Sequence, residues 1–507
     1  MNNSRRKKKT RRFKSDRPMP HEMPTLWLHV DARRLVNGLI FGLLFAVCVA
    51  ALNYRPAQQT TAEAVSNGVL ILVVCTLYSL YLVSFERRVK TSRAVIAIGV
   101  VSLLPVAAAA WFPFFRIPLF LVPTTLVAFV FGISYAERAA IGVSFMLCLL
   151  VGVCLGMSSR GSPLGIAPVD LMVVLFAGAA VAALGCGKIR KRSKLLKVGL
   201  VSSIVQAVLI AAVTLKADQA AGPWAINTPW VCSLGFINGL VSAALVSAAL
   251  PMIESIFSVT TDISLLELSD QNHPLLRRLS LEAPGTYHHS LILGNLAEAA
   301  GESIGANALL LRVGAYFHDI GKVVKPEYFV ENEGMQGSMH GALSPTMSTL
   351  IITAHTKDGA ELARERGLPM AIIDMIQQHH GSSLVEYFYH RAAEGNDTRQ
   401  KVDQDLFRHP GPKPQTREAG VLLLADSVES ASRSLPDPTP SRIARQAHEI
   451  IYRKMMDGQL DECELTLAEV HKVEQSLVRS LTSVFHGRIK YPQPETREGG
   501  EEEHNGR

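Results

Sequence analysis

The stretch Arg312–Lys322 reads RVGAYFHDIGK, and the other candidate functional residues gain their meaning from it. Its apolar residues have helical spacing, and the pattern ends in His318 and Asp319, just ahead of an Ile-Gly-Lys tripeptide. Neutral imidazole and carboxylate groups both bind divalent first-row metals. A single His-Asp pair also occurs in ordinary polar contacts at helix ends, so its meaning depends on where the other histidines fall.

The apolar residues of the 507-residue chain are unevenly distributed. They concentrate between about Leu35 and Phe257, whereas the second half has the composition of a soluble protein. This division predicts a helical membrane domain followed by a soluble one. The predicted organisation is a basic cytoplasmic tail over residues 1–34, a membrane domain over 35–257, a soluble domain over 258–485 and a disordered acidic tail over 486–507.

The net charge of +7 is also unevenly distributed. A basic run at Arg5–Lys14 lies just ahead of the first hydrophobic stretch, where it fits a positive-inside retention signal with affinity for anionic lipid better than a nucleic-acid arm. No DNA or RNA partner is therefore expected. Six of the seven cysteines lie in apolar stretches and none forms a CxxC pair, so neither a disulfide framework nor a cysteine metal site is predicted.

Stretches long enough to cross a bilayer fill the first half. A span needs about 20 mostly apolar residues, and the sequence offers about eight candidates. These are Leu35–Leu52, Ala64–Phe85, Ala94–Phe112, Ile117–Tyr135, Ala139–Met157, Val169–Gly187, Leu195–Leu215 and Val231–Ile253.

The charges of the loops predict the orientation. Basic residues in Glu86–Lys90 and Lys188–Arg192 favour the cytoplasmic side, as does the basic N-terminus. An even number of spans then puts both termini in the cytoplasm of a multi-pass protein of the inner (plasma) membrane. The spans contain almost no ionisable residues, which favours anchoring or sensing over transport.

The soluble half shows only helical periodicity. No alternating strand pattern of useful length occurs, so the predicted fold class is all-α throughout. The polar, proline-bearing segment Asn396–Gln415 is predicted to be a loop. The predicted helices include Tyr287–Ala300, Leu309–Phe317, Met370–His380, Arg417–Ser434 and Ser441–Asp457.

Seven His and Asp side chains of this half are candidate metal ligands. A set without cysteine suits iron, manganese or another first-row metal better than structural zinc. Two ions bridged by one carboxylate would use all seven groups, and two ions about 4 Å apart can generate hydroxide and stabilise an in-line attack on phosphorus. The candidates are His289, His318, Asp319, His355, His379, His380 and Asp426.

Several of these residues also have ordinary interpretations. His379 and His380 would point about 100° apart on a continuing helix, so one of them could be solvated. His355 is predicted near the start of a helical segment, and Asp426 could be a buried, hydrogen-bonded structural residue.

The soluble half resembles the bacterial seven-transmembrane HD-domain (HDIG) phosphohydrolases of the cyclic di-AMP phosphodiesterase type. The resemblance covers Thr261 to about Arg391 and a later Asp motif. The residues that carry it are Leu265–Leu268, Asn272–Leu276, Glu282–Ser290, Val313–Lys322, Leu343–Pro345, Gln377–Gly381 and Leu424–Glu429.

The resemblance implies two divalent ions, manganese or iron, and a role for each ligand. His288 is not expected to be a ligand. Lys322 would meet a phosphate as a point charge. Arg433 would pair with the second phosphate of the substrate, or else is a surface residue near a helix end. His289, His318, Asp319 and Asp426 would hold one ion, and Asp319 would bridge to a second ion held by His355, His379 and His380.

The implied activity is hydrolysis of cyclic di-AMP to linear pApA by attack of a metal hydroxide, with Asp319 and Lys322 as catalytic residues. The alternatives are an HD phosphohydrolase for another nucleotide and a membrane receptor that binds nucleotide without turnover. The large extracellular domain of the family is missing, because only Asn53–Glu63 separates the first two spans. The region Val259–Leu281 could also serve as the contact of a homodimer.

Overall fold

The computed structural model describes residues 32–53, 60–85, 92–135, 137–156, 167–187, 189–221, 228–332, 339–394 and 402–486. Regular structure within these ranges is helical, with one isolated β-bridge between Leu384 and Arg408, so the predicted all-α fold class is confirmed. The chain divides into two compact units, and the division falls within the helix Thr228–Phe257. The basic tail before residue 32 and the acidic tail after residue 486 lie outside the described residues.

The first unit contains the hydrophobic helices. Seven helices of the described residues are long and apolar enough to cross a membrane, and a shorter apolar segment adjoins them. The helices are α1 (Ala32–Asn53), α2 (Thr61–Phe85), α3 (Ser92–Trp111), α4 (Thr124–Ser134), α5 (Glu137–Gly156), α6 (Pro168–Gly185), α7 (Arg192–Ala221) and α8 (Thr228–Phe257).

The fourth predicted span, Ile117–Tyr135, is not one continuous helix. It consists of the 3-10 helix Leu119–Leu121 and the 11-residue helix α4. Pro123 separates the two, because proline lacks the N–H that a continuous helix would need and restricts the residue before it. The predicted even number of spans is therefore not matched by an even number of long helices, and the orientation of the termini stays a prediction.

Side-chain hydrogen bonds compensate for this break. The Nδ2 of Asn238 on α8 donates to the carbonyl oxygens of Phe120 at 2.8 Å and Val122 at 3.2 Å. Nearby, Gln206 Nε2 donates to Thr125 Oγ1 at 2.7 Å. Irregular backbone in an apolar surrounding is tolerated when neighbouring helices satisfy its polar groups, as the two bonds from Asn238 do.

The second unit consists of residues 189–195 and the described residues from Ser247 onward. Short 3-10 helices connect its α-helices, among them Ile320–Val324 and Gln404–Phe407. The α-helices that follow α8 are α9 (Asp262–Leu268), α10 (Pro274–Glu282), α11 (Pro284–Ser303), α12 (Ala308–Phe317), α13 (Pro345–Glu365), α14 (Met370–Gln378), α15 (Glu386–Glu394), α16 (Arg417–Arg433), α17 (Pro440–Met456) and α18 (Leu467–His486).

Helix α16 is the centre of this unit. Residues Val421–Ala425 are fully buried, on every side of the helix, and they belong to the larger of the unit's two apolar clusters. A helix that is apolar all round must be enclosed by others, and α11, α17 and α18 pack on it. The next residue, Asp426, is therefore a carboxylate inside an apolar core, where it needs compensating partners.

The predicted loop Asn396–Gln415 is partly described, from residue 402. Residues 402–416, called the strap below, are fastened at several points. Phe407 is buried, and Arg408 donates to the carbonyl of Ser382 and to both carboxylate oxygens of Asp457. At the other end of the strap, the backbone N–H of Gln415 donates to the side-chain oxygen of Gln378 at 2.9 Å.

Replacing Asn238 by Leu is expected to lower the thermal stability of the full chain in detergent. The carbonyls of Phe120 and Val122 would lose a donor, and interhelical hydrogen bonds in membrane proteins contribute about 0.6 kcal/mol on average, up to about 1.7. The measurement is the thermal aggregation midpoint. Val241→Leu, on the exposed side of the same helix, is the control. An Asn238→Leu chain as stable as the wild type would contradict this role.

Candidate metal centre

All seven predicted ligands converge in the second unit. His289 lies on α11 and Asp426 on α16, whereas His318 and Asp319 directly follow α12. His355 lies in the middle of the continuous helix α13 and not at the start of a helical segment, so that prediction was wrong. His379 and His380 directly follow α14. Six of the seven are buried, and the His380 side chain is 25% exposed.

Gly321 allows the two central segments to approach. A Cβ at this position would overlap the carbonyl oxygen of His355 and would lie 2.6 Å from the backbone nitrogen of Gly359. The segment after Asp319 therefore packs directly on the backbone of α13. This contact brings the carboxylate of Asp319 to the imidazole of His355, with 3.2 Å between Oδ1 and Nε2.

The end of α14 decides the question of the paired histidines. The helix ends at Gln378, and Gly381 takes a positive φ of 55°, which closes the turn in the left-handed region. His379 and His380 therefore do not point apart along a continuing helix. Both side chains join Asp319 and His355 in one group whose ligand atoms lie within 4.8 Å of one another.

Asp319 links two groups of ligands. Its Oδ1 faces His355 Nε2 at 3.2 Å and His379 Nε2 at 3.6 Å. Its Oδ2 faces His318 Nε2 at 3.1 Å and His289 Nε2 at 3.9 Å. Each group of histidines is thus faced by its own oxygen of the same carboxylate.

Asp426, on helix α16, contacts histidines of both groups. Its Oδ1 lies 3.1 Å from His289 Nε2, and its Oδ2 lies 3.6 Å from His380 Nδ1. It is therefore not an isolated structural carboxylate, since it contacts members of both ligand groups.

Backbone carbonyls fix the orientation of three imidazoles. The Nδ1 atoms of His318, His355 and His379 lie 2.7, 2.6 and 2.8 Å from the carbonyl oxygens three residues earlier in each case. An Nδ1–H that donates to a carbonyl leaves the Nε2 lone pair of the neutral ring free to bind a cation. Each of the three Nε2 atoms faces the carboxylate of Asp319.

The spacing of these nitrogens fits metal ligation. His355 Nε2 and His379 Nε2 face each other at 3.2 Å, although both rings commit their Nδ1–H to carbonyls. Two facing lone pairs repel unless a cation lies between them. Neighbouring ligands about 2.1 Å from one ion lie about 3 Å apart when they meet at a right angle, close to this spacing. The residues therefore fit a divalent ion in each of the two groups.

The charge of the site also favours cations. Burial lowers the pKa of His289, but hydrogen bonds and charge from Asp426 and Glu429 outweigh burial and raise it to about 9. Burial likewise raises the pKa of Asp319, but the charges of His318 and Lys322 bring it well below its usual value. The carboxylate of Asp319 thus stays ionised, and the field that attracts a proton to His289 also attracts a metal ion, which displaces protons from its ligands.

The side chain of Lys322 is largely buried, unlike that of a lysine that binds phosphate at the protein surface. Its Nζ is 2.8 Å from Asp319 Oδ2 and 2.6 Å from Glu331 Oε1, and the side chain is 13% exposed. Glu331 also accepts from Thr286 Oγ1 at 3.0 Å. Lys322 therefore stabilises the carboxylate of Asp319, and its contact with substrate stays a prediction.

Arg433 lies two turns beyond Asp426 on α16, as predicted. Its Nη2 donates to Glu429 Oε2 at 2.9 Å, and the guanidinium also touches the ring of His289. The side chain is 41% exposed, so the guanidinium borders the site and can also meet a ligand from solvent.

Four residues near the centre were missed by sequence reasoning. Glu429 was only part of the LADSVE motif, and Glu331 has no motif of its own. His409 is carried in by the strap, where its ring centroid lies 4.3 Å from that of His380. Lys454 on α17 donates to Ser383 Oγ at 2.7 Å. No local pattern marks His409 or Lys454, because each comes from an element distant in sequence.

Comparisons with known proteins agree with this geometry. Residues 62–261 match the family described as 7TM receptor with intracellular HD hydrolase, and residues 286–431 match the HD domain. The predicted resemblance is thereby confirmed, and an HD domain implies binding of divalent metal.

Two similar curated proteins are cyclic-di-AMP phosphodiesterases PgpH. The protein of Bacillus subtilis is 39% identical over 374 residues, which are 74% of this chain and 51% of the relative. That of Listeria monocytogenes is 43% identical over 267 residues, which are 53% of this chain and 37% of the relative. The chain thus spans about half the length of the first of these relatives and less of the second.

The sequence of a solved structure is also similar to part of this chain. The HD domain of the L. monocytogenes phosphodiesterase PgpH in complex with cyclic di-AMP is 46% identical in sequence. The match covers 43% of this chain and 100% of that chain, with a TM-score of 0.41.

Gly321→Ala is expected to destabilise the second unit and to lower its metal content. The added Cβ would meet backbone atoms of α13, and overpacking of this kind costs about 1–3 kcal/mol. Moving α13 away would also separate His355 from Asp319. The measurements are the thermal midpoint of the full chain and its bound metal per chain.

Gly341→Ala is the matched control, since a Cβ there would meet no atom within 4 Å. If Gly321→Ala kept both the wild-type midpoint and the wild-type metal content, the close approach of the two segments would not be what assembles the site.

Proposed function

From the match of residues 62–261 to the family of 7TM receptors with an intracellular HD hydrolase, and of residues 286–431 to the HD domain, we propose that the chain is a membrane-anchored, metal-dependent phosphodiesterase that opens cyclic di-AMP to linear pApA. The observation that carries the proposal is the carboxylate of Asp319, each oxygen of which faces a separate group of histidines. The names of the curated relatives support the substrate.

The metals of this centre are proposed to be two manganese or iron ions. The ligands are imidazole and carboxylate groups without a thiolate, a set that suits these ions. Bound at the site, the ions would supply activation of water and neutralisation of the charge that develops on the phosphate. His289, His318, Asp319 and Asp426 would hold one ion, and Asp319, His355, His379 and His380 the other.

The protein's own contribution is orientation and charge. The carbonyl bonds to Nδ1 of His318, His355 and His379 keep the three Nε2 atoms aimed at one small volume. Lys322, between Asp319 and Glu331, keeps the bridging carboxylate ionised. Side chains that are fixed before substrate binds need no reorganisation during the reaction.

The reaction adds one water molecule across one of the two 3′–5′ phosphodiesters. The bond between phosphorus and the 3′ oxygen breaks, the water oxygen becomes part of a terminal 5′ phosphate, and the 3′ oxygen takes a proton. Arg433 borders the centre with a partly exposed guanidinium that can pair with the second phosphate. The product is linear pApA.

Two alternatives remain for the experiment to separate. The same centre could hydrolyse another cyclic dinucleotide or a nucleoside phosphate, because the ligands determine the reaction class more closely than the base. A membrane receptor without turnover is disfavoured, since a receptor has no need of seven converging ligands. The cytoplasmic position of both termini and a homodimer contact through Val259–Leu281 are further proposals from the sequence.

A substrate panel tests the proposal. The full chain, purified in detergent and loaded with manganese or iron, is expected to convert cyclic di-AMP to pApA faster than it hydrolyses cyclic di-GMP or guanosine tetraphosphate. Chromatography of the nucleotides measures each product. Selective turnover of another nucleotide would replace the substrate, and no turnover by the chain with two ions bound would favour a receptor.

Asp319→Ala is expected to reduce turnover of cyclic di-AMP below detection, because both ligand groups lose their shared carboxylate. A strong chelator should have the same effect on the wild type, and added manganese should restore it. Asp437→Ala is the control, because that side chain is 68% exposed and pairs with Arg442 only at the surface. Wild-type turnover by Asp319→Ala would rule out the mechanism.

A further inference from the structure

The four deeply buried ligand histidines are not held in the same way. Among the described residues, the Nδ1 atoms of His318, His355 and His379 contact carbonyl oxygens of their own helical turns. The Nδ1 of His289 instead lies 2.7 Å from the carboxylate oxygen Oε2 of Glu429 and 2.5 Å from Nη2 of Arg433. A neutral acceptor thus backs three imidazoles, whereas the ion pair of Glu429 with Arg433 backs the fourth. The guanidinium of Arg433 can only donate, so Glu429 is the member of this pair that can accept the Nδ1–H of His289.

Glu429 is well placed for this role. It lies one turn beyond Asp426 on α16, so the same helix supplies both a ligand and the group behind another ligand. Its side chain is 3% exposed, and Oε2 also accepts from Arg433 Nη2 at 2.9 Å. Arg433 therefore fixes the carboxylate and keeps its buried charge paired.

We propose that Glu429 is a positioning residue that sets the affinity of the first ion position, the one formed by His289, His318, Asp319 and Asp426. Its carboxylate accepts the Nδ1–H of His289, fixes the tautomer that presents Nε2, and makes that nitrogen a stronger donor. At the second position, formed with His355, His379 and His380, the two rings that face Asp319 Oδ1 have carbonyls behind them in the described part of the chain. The metal affinity of the first position should therefore depend on Glu429, which binds neither ion, and that of the second position should not.

This inference rests on the proposed metal centre and deepens it. It also gives Arg433 a second task, because a guanidinium that orients Glu429 acts on the centre even when no phosphate is present. Loss of Arg433 should then weaken metal binding as well as substrate binding.

The test is manganese binding by the full chain in detergent, without nucleotide. Equilibrium dialysis against buffered manganese gives the ions bound per chain, and electron paramagnetic resonance distinguishes a coupled manganese pair from a single ion. The wild type is expected to bind two ions and to give the coupled signal.

Glu429→Gln keeps the size of the side chain and an acceptor oxygen but removes the charge. It is expected to lower the affinity for one of the two ions by about 10–100-fold, the usual effect of losing such a partner. The affinity for the other ion should stay unchanged. At a manganese concentration that just saturates the wild type, the variant should bind one ion and lose the coupled signal. A 10–100-fold higher concentration should restore both.

Glu418→Gln is the matched control, since it changes the same residue type on the same helix, at the N-terminal end where Glu418 accepts from the backbone of Asn307. It should bind two ions as the wild type does. The thermal midpoint of each variant is measured alongside, because a merely structural role for Glu429 would lower the midpoint and both ions together.

Two outcomes would overturn the inference: two ions bound to Glu429→Gln with wild-type affinity, or equal loss of both ions that excess manganese does not restore. A wild-type chain that binds no manganese would overturn it too. A wild-type chain that binds two ions without hydrolysing cyclic di-AMP would defeat the proposed function and leave this inference standing.

Discussion

Buried nitrogen and oxygen atoms that face one another are the constraint on which the second unit depends. His355 Nε2 and His379 Nε2 lie 3.2 Å apart, and both face the same carboxylate oxygen of Asp319. Such an arrangement is unfavourable in an apolar interior unless cations occupy it. The surrounding helices must therefore hold the ligands in place by other means, and carbonyl bonds to Nδ1 provide one of them.

Packing provides the other means. The apolar stretch Val421–Ala425 is enclosed by neighbouring helices, and this enclosure places Asp426 and Glu429 deep in the unit. The absence of a side chain at Gly321 lets the segment after α12 rest directly on α13. A rigid apolar surrounding and a backbone contact together bring ligands from five helical segments to one centre, and neither alone would do so.

In the first unit, polar side chains satisfy backbone groups where a helix is interrupted. Its helices are apolar, and where the backbone departs from a helix near Pro123, side chains such as Asn238 satisfy the exposed carbonyls. Several polar residues of this unit therefore have structural partners among their neighbours, among them Asn238, Gln206 and Ser202. Anchoring or sensing, rather than an ion path lined with charged groups, stays a prediction from the sequence.

The sequence by itself determined the chemical types and their order: an apolar half, a soluble helical half and seven imidazole and carboxylate groups. Composition and periodicity report such features because each depends on residues close in the chain. The sequence did not reveal that the fourth span is broken into two short helices or that His355 lies in mid-helix, because prolines and loops leave several local solutions open.

Only the tertiary structure decided which atoms meet. It brought His379 and His380 to the same centre, paired Lys322 with Glu331, carried His409 in on the strap and set Glu429 behind His289. The contact of Glu429 with His289 joins residues 140 positions apart. No local pattern encodes them, because the packing of whole helices fixes the distance between two side chains far apart in sequence.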